Sequence, residues 1–410
     1  MTGESRKILH LSADYPDPLM PRKTRAVANL LELVPEHKHH VYSLNRVGWR
    51  AGIHALYFTD AGGEGHRAIA YGAPPKGIFL KRYLDQVADW LLEDLDRHDI
   101  QPDLVHAHKL SVEGLIGFSV AQRLGVPLVI SVQGNSDLKI IRVRRDLVRL
   151  WKLIWQEAAV AFPFAPWAAE RLDRLLGARQ APTILLPCPT PADRLLSPRI
   201  AGPIFRSAFN LSDHRVKNAK GLIRAVMLAS RDVPEVRLEI IGGGDPTAFA
   251  ELEALVARLT PGRVRFVGAV PNSTIQDLFN ASCAFALPSY RESFGMVFAE
   301  ALLAGCPCLV PRGWGIDGYF SGATALLAVD AHDAREIADG LVRLAREEIG
   351  FKNRLAHLLE IGALDRFRRV AIAEVYRSGL TEALSSTGLA DHRSRGLGKG
   401  SMLGEPAERD

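Results

Sequence analysis

Two glutamates, Glu292 and Glu300, stand eight residues apart in a loop and the helix-like stretch that follows it. An apolar run ends at Leu287, the loop carries Glu292, and the helical stretch runs from about Phe294 to Gly305. Side chains one or two turns into a helix can point toward the loop before it. Both carboxylates can therefore face one cavity.

The start of this predicted helix could bind an anion. The N–H groups of residues 293–296 have no acceptor inside the helix, and the helix dipole adds partial positive charge, so a diphosphate would fit there. The carboxylate of Glu300, further along, suits a ribose diol because a charged acceptor binds two hydroxyl donors well. In the alternative interpretation Glu292 only caps the helix and Glu300 lies on a solvated face.

A basic loop precedes a second helix-like run at residues 222–229. It carries Arg215, Lys217 and Lys220, and cations before a helix can neutralise the pyrophosphate of a departing nucleotide. One pair of unit charges 4 Å apart contributes about 4 kcal/mol at an effective dielectric constant of 20, before desolvation losses. Such a loop could replace a metal ion, although it could also be a solvated basic turn.

Two histidines, His106 and His108, follow an apolar pair nearer the N-terminus. A metal site there would need a third ligand that the sequence does not identify. The histidines could also be packed and hydrogen-bonded. The first loop, residues 12–24, carries the basic pair Arg22 and Lys23, which could contact an anionic acceptor or remain exposed.

Apolar runs and helical periods alternate along the whole chain. The runs expected to be strands are at residues 8–11, 41–44, 104–106, 126–132, 158–164, 183–186, 238–241, 264–267, 283–287 and 308–310. Continuous apolar strands between helices predict parallel sheets covered on both faces.

Six prolines between residues 182 and 203 divide this alternation. They predict an N-terminal Rossmann-like lobe at 1–190, a linker at 191–204 and a C-terminal Rossmann-like lobe at 205–375. The segment 385–410 is rich in Gly, Ser and charge, a composition that predicts disorder.

Composition excludes several classes of protein. The chain has 410 residues, and 51 Lys and Arg against 46 Asp and Glu give a net charge of +5, which is too small for a dedicated nucleic-acid binder. No apolar run approaches 18 residues, and the first residues lack a secretory core. Four cysteines are too few for a disulfide framework, so a cytoplasmic protein is expected.

The segment S-Y-R-E-S-F-G-M-V-F-A-E-A-L-L-A-G-C-P resembles retaining glycosyltransferase family 4. The resemblance covers most of the chain and is strongest from about 205 to 330. It implies a GT-B fold, in which two Rossmann-like lobes face each other across a cleft. It also implies a retaining, metal-independent enzyme of the hexosyltransferase type. Such an enzyme moves a sugar from a nucleotide donor to a glycan or lipid-linked glycan in polysaccharide or glycolipid biosynthesis. The nucleotide sugar is then a substrate, and no cofactor or metal is expected.

The resemblance also implies roles for individual residues. The catalytic residues would be Glu292, Arg215, Lys220 and His108, with Lys217 as a substitute for Lys220. The donor would contact Ser293, Phe294, Gly295, Glu300, Gly243 and Val267. The acceptor side would include His106, Gln133, Arg22 and Lys23.

Two departures from the family pattern concern the N-terminal lobe. After the run at 126–132 the family usually has a histidine followed by glycine, whereas this chain has Gln133 and Gly134. A contact there would involve a neutral amide. The first loop usually carries a Gly-Gly pair, whereas residues 12–24 contain prolines and the basic pair.

Residues 138–155 read as one basic amphipathic helix with two tryptophans, Trp151 and Trp155. Surface tryptophans flanked by Arg and Lys are typical of helices that lie in a membrane interface. The segment therefore predicts docking on acidic lipid at the inner membrane face. A core-facing helix with a solvated basic face is the alternative.

Other functions remain as rivals. A nucleotide-sugar epimerase, a phosphorylase or a non-catalytic glycan-binding protein could share the fold. A nicotinamide-dependent dehydrogenase is disfavoured because the first loop lacks the Gly-x-Gly-x-x-Gly pattern. The Asp-x-Asp sequence at Asp94 and Asp96 lies in a helix-like stretch and is interpreted as surface charge rather than a metal site.

Overall fold

The computed structural model describes residues 5–396 apart from 22, 61–62, 75–76 and 323–324. The strands of the first lobe are β1 (Lys7–Ser12), β2 (Lys38–Val47), β3 (His54–Asp60), β4 (Gly63–Gly72), β5 (Leu104–Ala107), β6 (Leu128–Val132) and β7 (Val160–Pro163). Its helices are α1 (Ala26–Leu31), α2 (Leu80–Arg97), α3 (Glu113–Leu124), α4 (Asn135–Val143), α5 (Val148–Glu157) and α6 (Pro166–Leu176).

The second lobe begins with β8 (Ile204–Ala208). Its other strands are β9 (Arg237–Ile241), β10 (Val264–Gly268), β11 (Ala284–Ala286), β12 (Cys308–Pro311) and β13 (Leu326–Val329). The helices that follow β8 are α7 (Ala219–Ala229), α8 (Pro246–Leu259), α9 (Asn272–Asn280), α10 (Met296–Leu303), α11 (Ala334–Arg346), α12 (Glu348–Glu360) and α13 (Arg369–Gly396).

Each lobe has one open, doubly wound sheet. The first sheet has the order β3-β4-β2-β1-β5-β6-β7, and its strands pair in parallel except where β3 runs against β4. The second has the parallel order β10-β9-β8-β11-β12-β13. In such sheets ligands bind beyond the carboxyl ends of the strands, where the strand order reverses. Those points lie between β1 and β5 and between β8 and β11.

The strands are parallel because their apolar runs are buried on both faces. In β6 every residue of the sequence LVISV is buried, and β5 and β7 are also buried throughout. The predicted two-lobe α/β fold is confirmed. The run at 183–186 forms only an isolated bridge, between Thr183 and Ala161.

The long helix α13 returns from the second lobe to the first. Its buried residues Ile372, Tyr376 and Leu380 pack with Ile8 and Phe162 of the first lobe. A Cβ on Gly379 would lie 2.3 Å from the Phe162 ring, so a glycine is required where the helix crosses the sheet.

This helix corrects the boundaries predicted for the end of the chain. Residues 369–375 begin an element that packs on the first lobe rather than on the second. The segment predicted to be disordered from residue 385 continues the helix as far as Gly396. Residues 397–410 lie outside the described residues.

The basic segment 138–155 is not one helix. It is divided between α4 and α5 by a 3₁₀ turn at Arg145–Leu147. Trp151 and Trp155 are fully buried, and their indole N–H groups donate to Ser111 O and Asp173 Oδ1. The prediction of surface tryptophans is therefore wrong. In the described part of the chain, no helix combines the length and apolar character that crossing a bilayer requires.

Candidate active site

A cavity of about 340 Å³ lies between the lobes at the carboxyl ends of both sheets. The first lobe contributes Thr24, Ala26 and Gln133, and the second contributes Lys217 and the loop 292–297. The cavity therefore brings together five of the predicted site residues, Gln133, Glu292, Ser293, Phe294 and Gly295.

Lys217 and Glu292, which both line this cavity, form an ion pair. The Lys217 ammonium lies 2.6 Å from Glu292 Oε2, and only about a tenth of the Glu292 side chain is exposed. Ser289 Oγ lies 3.4 Å from the same carboxylate oxygen. Because water is largely excluded, the pair interacts more strongly than a surface ion pair would.

The loops after β8 and β11 hold this pair in place. The Tyr290 N–H donates to Val216 O at 2.9 Å, which ties the two loops together beside Lys217. Asn218 takes a left-handed conformation with φ 54°, and its amide donates to Ala331 O at 2.7 Å. Together these contacts direct the Lys217 side chain toward Glu292 instead of toward solvent.

The start of α10 presents unpaired backbone N–H groups beside the ion pair. Gly295 precedes the helix with φ 75°, a conformation that glycine adopts without strain. In the described part of the chain, none of the backbone N–H groups of residues 293–296 donates to another backbone group. Free N–H groups at a helix start, with an ammonium nearby, are suited to a diphosphate.

Glu300 lies inside α10 and is only partly exposed. Burial raises the pKa of its carboxyl group to about 7. A desolvated carboxylate gains from two hydroxyl donors, which is what a ribose diol supplies. Glu300 lies about one turn into this helix and is not among the residues that line the cavity.

Two predicted catalytic cations, Arg215 and Lys220, are not among the residues that line the cavity. The Lys220 ammonium pairs with Glu251 on α8, whose other carboxylate oxygen lies 3.1 Å from His214 Nε2. Arg215 is exposed. The structure therefore brings Lys217, the substitute that the sequence suggested, into the position expected for Lys220.

The glycine loop after β9 packs closely against the chain that follows β8. Gly242 and Gly244 have φ of 140° and 148°, and a Cβ on Gly242 would lie 1.9 Å from Phe209 O. These glycines let the loop pack against the chain after β8, where Gly243 O accepts a hydrogen bond from the Leu211 N–H. Val267 is half-buried in the adjacent edge strand β10.

The histidines predicted at the cleft are inside the first lobe. His106 and His108 are fully buried and do not line the cavity. His106 is hydrogen-bonded to Tyr376 and Ser131, and His108 Nε2 lies 3.1 Å from His10 Nδ1. Neither is therefore placed to contact an acceptor.

These histidines belong to a buried row that the sequence did not reveal. His10 also contacts His39 at 2.9 Å, and its neighbours His106 and His108 stack at 4.0 Å. Nitrogens of His10, His106 and His108 lie within 4.8 Å of one another, a spacing that could hold a metal ion. Because most of these nitrogens already have partners within the protein, we interpret the row as a neutral hydrogen-bonded network.

Of the basic pair in the first loop, Lys23 is held by contacts inside the first lobe. Lys23 is nearly buried, and its ammonium lies 2.9 Å from both Asp17 Oδ2 and Ser43 Oγ. It stabilises the loop around Asp17, which also accepts hydrogen bonds from Asn45 and two backbone N–H groups. Arg22 lies outside the described residues.

In the Asp-x-Asp sequence of α2, Asp94 has a structural role. Asp94 is buried, contrary to its interpretation as surface charge, and its Oδ2 accepts hydrogen bonds from Arg67 at 2.7 Å and Tyr42 at 2.8 Å. These contacts stabilise its carboxylate, so they hold the pKa of Asp94 below its usual value despite burial.

Two family models match the chain along the same division into lobes. One described as "Glycosyl transferase 4-like domain" matches residues 22–189, and one described as "Glycosyl transferases group 1" matches residues 205–347. Together they span more than half of the chain, and the proline-rich linker separates them.

A curated relative and two solved structures resemble the chain. A D-inositol 3-phosphate glycosyltransferase of Xylanimonas cellulosilytica is 31% identical over 277 residues, which span 62% of this chain and just under two thirds (66%) of the relative. Sucrose-phosphate synthase from Thermosynechococcus elongatus superimposes with a TM-score of 0.65 at 19% identity, covering 95% of this chain and 100% of that one. Anabaena HepE, solved in complex with UDP-glucose, gives a TM-score of 0.62 at 17% identity over 92% and 99% of the two chains. These structures share the two-lobe fold, and the family models match both lobes. The chain therefore belongs to the group 1, family 4 glycosyltransferases and has their GT-B fold.

Proposed function

We propose that this protein transfers a sugar from a nucleotide-sugar donor to a hydroxyl group of an acceptor, with retention of anomeric configuration. The observation that carries the proposal is the Lys217–Glu292 ion pair beside the free N–H groups at the start of α10. It supplies a cation, a carboxylate and an anion site within one cleft.

Each part of the donor has a matching group in this proposal. The diphosphate binds the N–H groups of residues 293–296 and the Lys217 ammonium, and the Glu300 carboxylate accepts from the ribose diol. Glu292 contacts hydroxyls of the sugar. UDP is the first donor nucleotide to test because HepE was solved with UDP-glucose.

The reaction then needs positioning and charge stabilisation more than a protein base. The acceptor oxygen bonds to the anomeric carbon while the bond from that carbon to the diphosphate oxygen breaks. The departing diphosphate takes the acceptor proton from the same face of the sugar, which retains configuration. Lys217 and the helix start stabilise the negative charge that develops on the leaving group.

The acceptor is a polyhydroxylated molecule held against the first lobe. The sequence resemblance favours a glycan or lipid-linked glycan, as in polysaccharide or glycolipid biosynthesis, whereas the matched relative is named for D-inositol 3-phosphate. Both kinds of acceptor belong in the test. Gln133 is our first-lobe candidate for an acceptor contact, since it lines the same cavity as Glu292.

The experiment combines a thermal-shift screen of sugar nucleotides with an acceptor survey that follows nucleotide release. Tight donors raise the melting temperature by mass action, and release of UDP only when acceptor is added supports transfer. Release without acceptor, consumption of phosphate, or conversion of the donor sugar would instead indicate a hydrolase, a phosphorylase or an epimerase. Glycan binding with no turnover for any donor would indicate a non-catalytic protein.

We propose in addition that the protein docks on acidic lipid through the exposed part of residues 138–155. Its exposed cations are Lys139, Arg142, Arg145, Arg149 and Lys152. Exposed apolar side chains complete this lipid-docking patch. They are Val143, which is 70% exposed, and Ile78 and Phe79 from the loop before α2, which are 52% and 69% exposed. These loops are neighbours, because a Cβ on Gly77 would lie 3.0 Å from Arg144 Nη1.

Flotation with vesicles of phosphatidylcholine, with and without phosphatidylglycerol, tests this docking. Binding is expected only with the anionic lipid, and it should weaken in Phe79→Ser and in Arg142→Glu. Arg174→Glu is the matched control, since Arg174 is exposed on α6, outside the patch. Equal and negligible binding to both vesicles would refute lipid docking and leave the transferase proposal intact.

A further inference from the structure

Trp167, near the start of α6, contacts loops of both lobes at the base of the cleft. On one side its ring lies against Gly134, where a Cβ would come within 2.4 Å of the indole. On the other side its indole N–H donates to Gly315 O at 3.2 Å. Trp167 is 5% exposed and thus fills the space between the Gln133 loop and the loop after β12.

Gly315 connects this tryptophan to the Glu292 loop. Its N–H donates to Glu292 O at 3.1 Å, while its carbonyl accepts the indole N–H. Gly315 has φ +61°, and a Cβ there would lie 3.3 Å from Phe294 O and 3.4 Å from Glu292 Cγ. Gly315 is therefore hydrogen-bonded both to Trp167 of α6 and to the backbone of the predicted donor loop.

Arg171, one turn further along α6, reinforces the contact. Its guanidinium donates to Gly313 O at 2.9 Å and lies 4.1 Å from the Trp314 ring centre and 4.8 Å from that of Trp167. The two tryptophan rings are 4.8 Å apart. The guanidinium thus lies against both rings and holds residues 313–315 against the first lobe.

We infer that Trp167 is a positioning residue, which fixes the Glu292 loop relative to the Gln133 loop when the cleft is assembled. The inference rests on the proposed function, in which the donor is bound by the second lobe and the acceptor by the first. Donor affinity then depends on Lys217, Glu300 and the start of α10. Alignment of the two substrates depends on what we call the bridge, the two hydrogen bonds that connect Trp167 to Gly315 and Gly315 to Glu292.

The test compares Trp167→Phe with Trp151→Phe. Both substitutions keep an aromatic ring and remove a buried indole N–H that donates to a backbone carbonyl, at 3.2 Å for Trp167 and 2.9 Å for Trp151. Only Trp167 contacts the second lobe, so Trp151→Phe controls for the loss of a hydrogen bond in the first lobe. Arg171→Gln, at a half-buried position, provides a second variant that retains the tryptophan.

Three measurements are made on the full chain: UDP affinity by calorimetry, turnover with the accepted substrates, and hydrogen–deuterium exchange of residues 288–297 without ligand. We expect Trp167→Phe and Arg171→Gln to lower kcat about 10- to 100-fold, because small misplacements of reacting groups cost that much. UDP affinity should fall clearly less than kcat does, because Lys217 and Glu300 still contact the donor. Exchange at residues 288–297 should become faster, and Trp151→Phe should change none of the three.

Unchanged exchange at residues 288–297 in both α6 variants, or an equal change in Trp151→Phe, would overturn the inference. A loss of UDP affinity as large as the loss of kcat would also overturn it, since Trp167 would then support donor binding. The exchange readout needs no turnover. If the wild-type protein transfers no sugar, the proposed function fails and the bridge is still tested.

Discussion

Lys217 and Glu292, which are 75 residues apart in sequence, meet at 2.6 Å between the loops that follow β8 and β11. These two strands are neighbours at the point where the order of the second sheet reverses. The fold thus brings a cation and a carboxylate to the place where an α/β sheet binds its ligand.

Removing the cation should abolish most turnover. We expect Lys217→Ala to lower kcat about 100- to 1,000-fold, as the loss of one charge-stabilising donor does in other active sites. Lys220→Ala is the matched control, because that ammonium pairs with Glu251 on the surface of α7 and α8. Steady-state kinetics with a melting curve for each variant would check this. A larger loss in Lys220→Ala than in Lys217→Ala would contradict the assignment.

Donor affinity should rise with pH around neutrality. Burial raises the pKa of Glu300 to about 7, so the carboxylate that accepts the ribose diol is mostly protonated at pH 6 and mostly ionised at pH 8. If only the ionised form binds, the apparent Kd for UDP falls about tenfold over this range.

Calorimetry of wild type and Glu300→Gln at both pH values isolates this contribution. Ionisation of the UDP phosphate affects the two proteins alike, so the difference between them reports on Glu300. The same pH dependence in both would show that Glu300 does not contact the ribose.

The turn before α10 should require glycine for a local steric reason. Gly295 has φ +75°, and a Cβ there would lie 2.6 Å from Phe298 Cδ2 and 3.0 Å from Glu292 Cγ. We expect Gly295→Ala to displace the anion loop and to weaken UDP binding by tenfold or more.

Gly262→Ala provides the control for backbone strain. Gly262 has nearly the same φ, +72°, but nothing lies within 4 Å of the Cβ position. This variant should lose about 1 kcal/mol of unfolding free energy and keep its UDP affinity. Equal UDP affinities in the two variants would argue against an anion site at α10.

The first lobe should lose stability in mild acid because of its buried histidines. Burial lowers the pKa of His39 and His66 to about 4 and that of His108 to about 3. The unfolded chain binds protons below pH 6.5, whereas these folded groups stay neutral until the pH approaches their lowered values. Stability is therefore retained above pH 6.5 and falls below it, by up to about 1.4 kcal/mol per pH unit for each histidine.

Melting temperatures between pH 8 and pH 5 measure this effect. His108→Asn should flatten the dependence, whereas His54→Asn, at an exposed position, should leave it unchanged. A melting temperature that stays constant down to pH 5 would show that the histidine row is not neutral in the folded protein.

The second lobe was more predictable from the sequence than the first. Its predicted donor loop is one continuous segment. The spacing of Glu292, Gly295 and Glu300 in the sequence therefore indicates their relative positions in the loop and helix. The cation was harder to identify, because Lys217 and Lys220 are one helical turn apart. Contacts between the loops after β8 and β11, such as that between the Tyr290 and Val216 backbones, accompany the orientation of Lys217 toward the cleft.

Local sequence patterns did not predict two features of the first lobe. The row of His10, His39 and His106 forms because three strands pair in a particular register, with His10 opposite His106. A chain turn at Arg145–Leu147 separates α5 from α4, and the tryptophans of α5 are buried although basic residues surround them in sequence. Sheet register and helix breaks of this kind depend on the tertiary structure.

The most direct test of the account is a crystal structure of the protein soaked with UDP. The diphosphate should lie within hydrogen-bond distance of the residue 293–296 N–H groups and of Lys217 Nζ, with the ribose hydroxyls on Glu300. UDP bound elsewhere, or an empty cleft at saturating UDP, would contradict the assignment of the donor site to the second lobe.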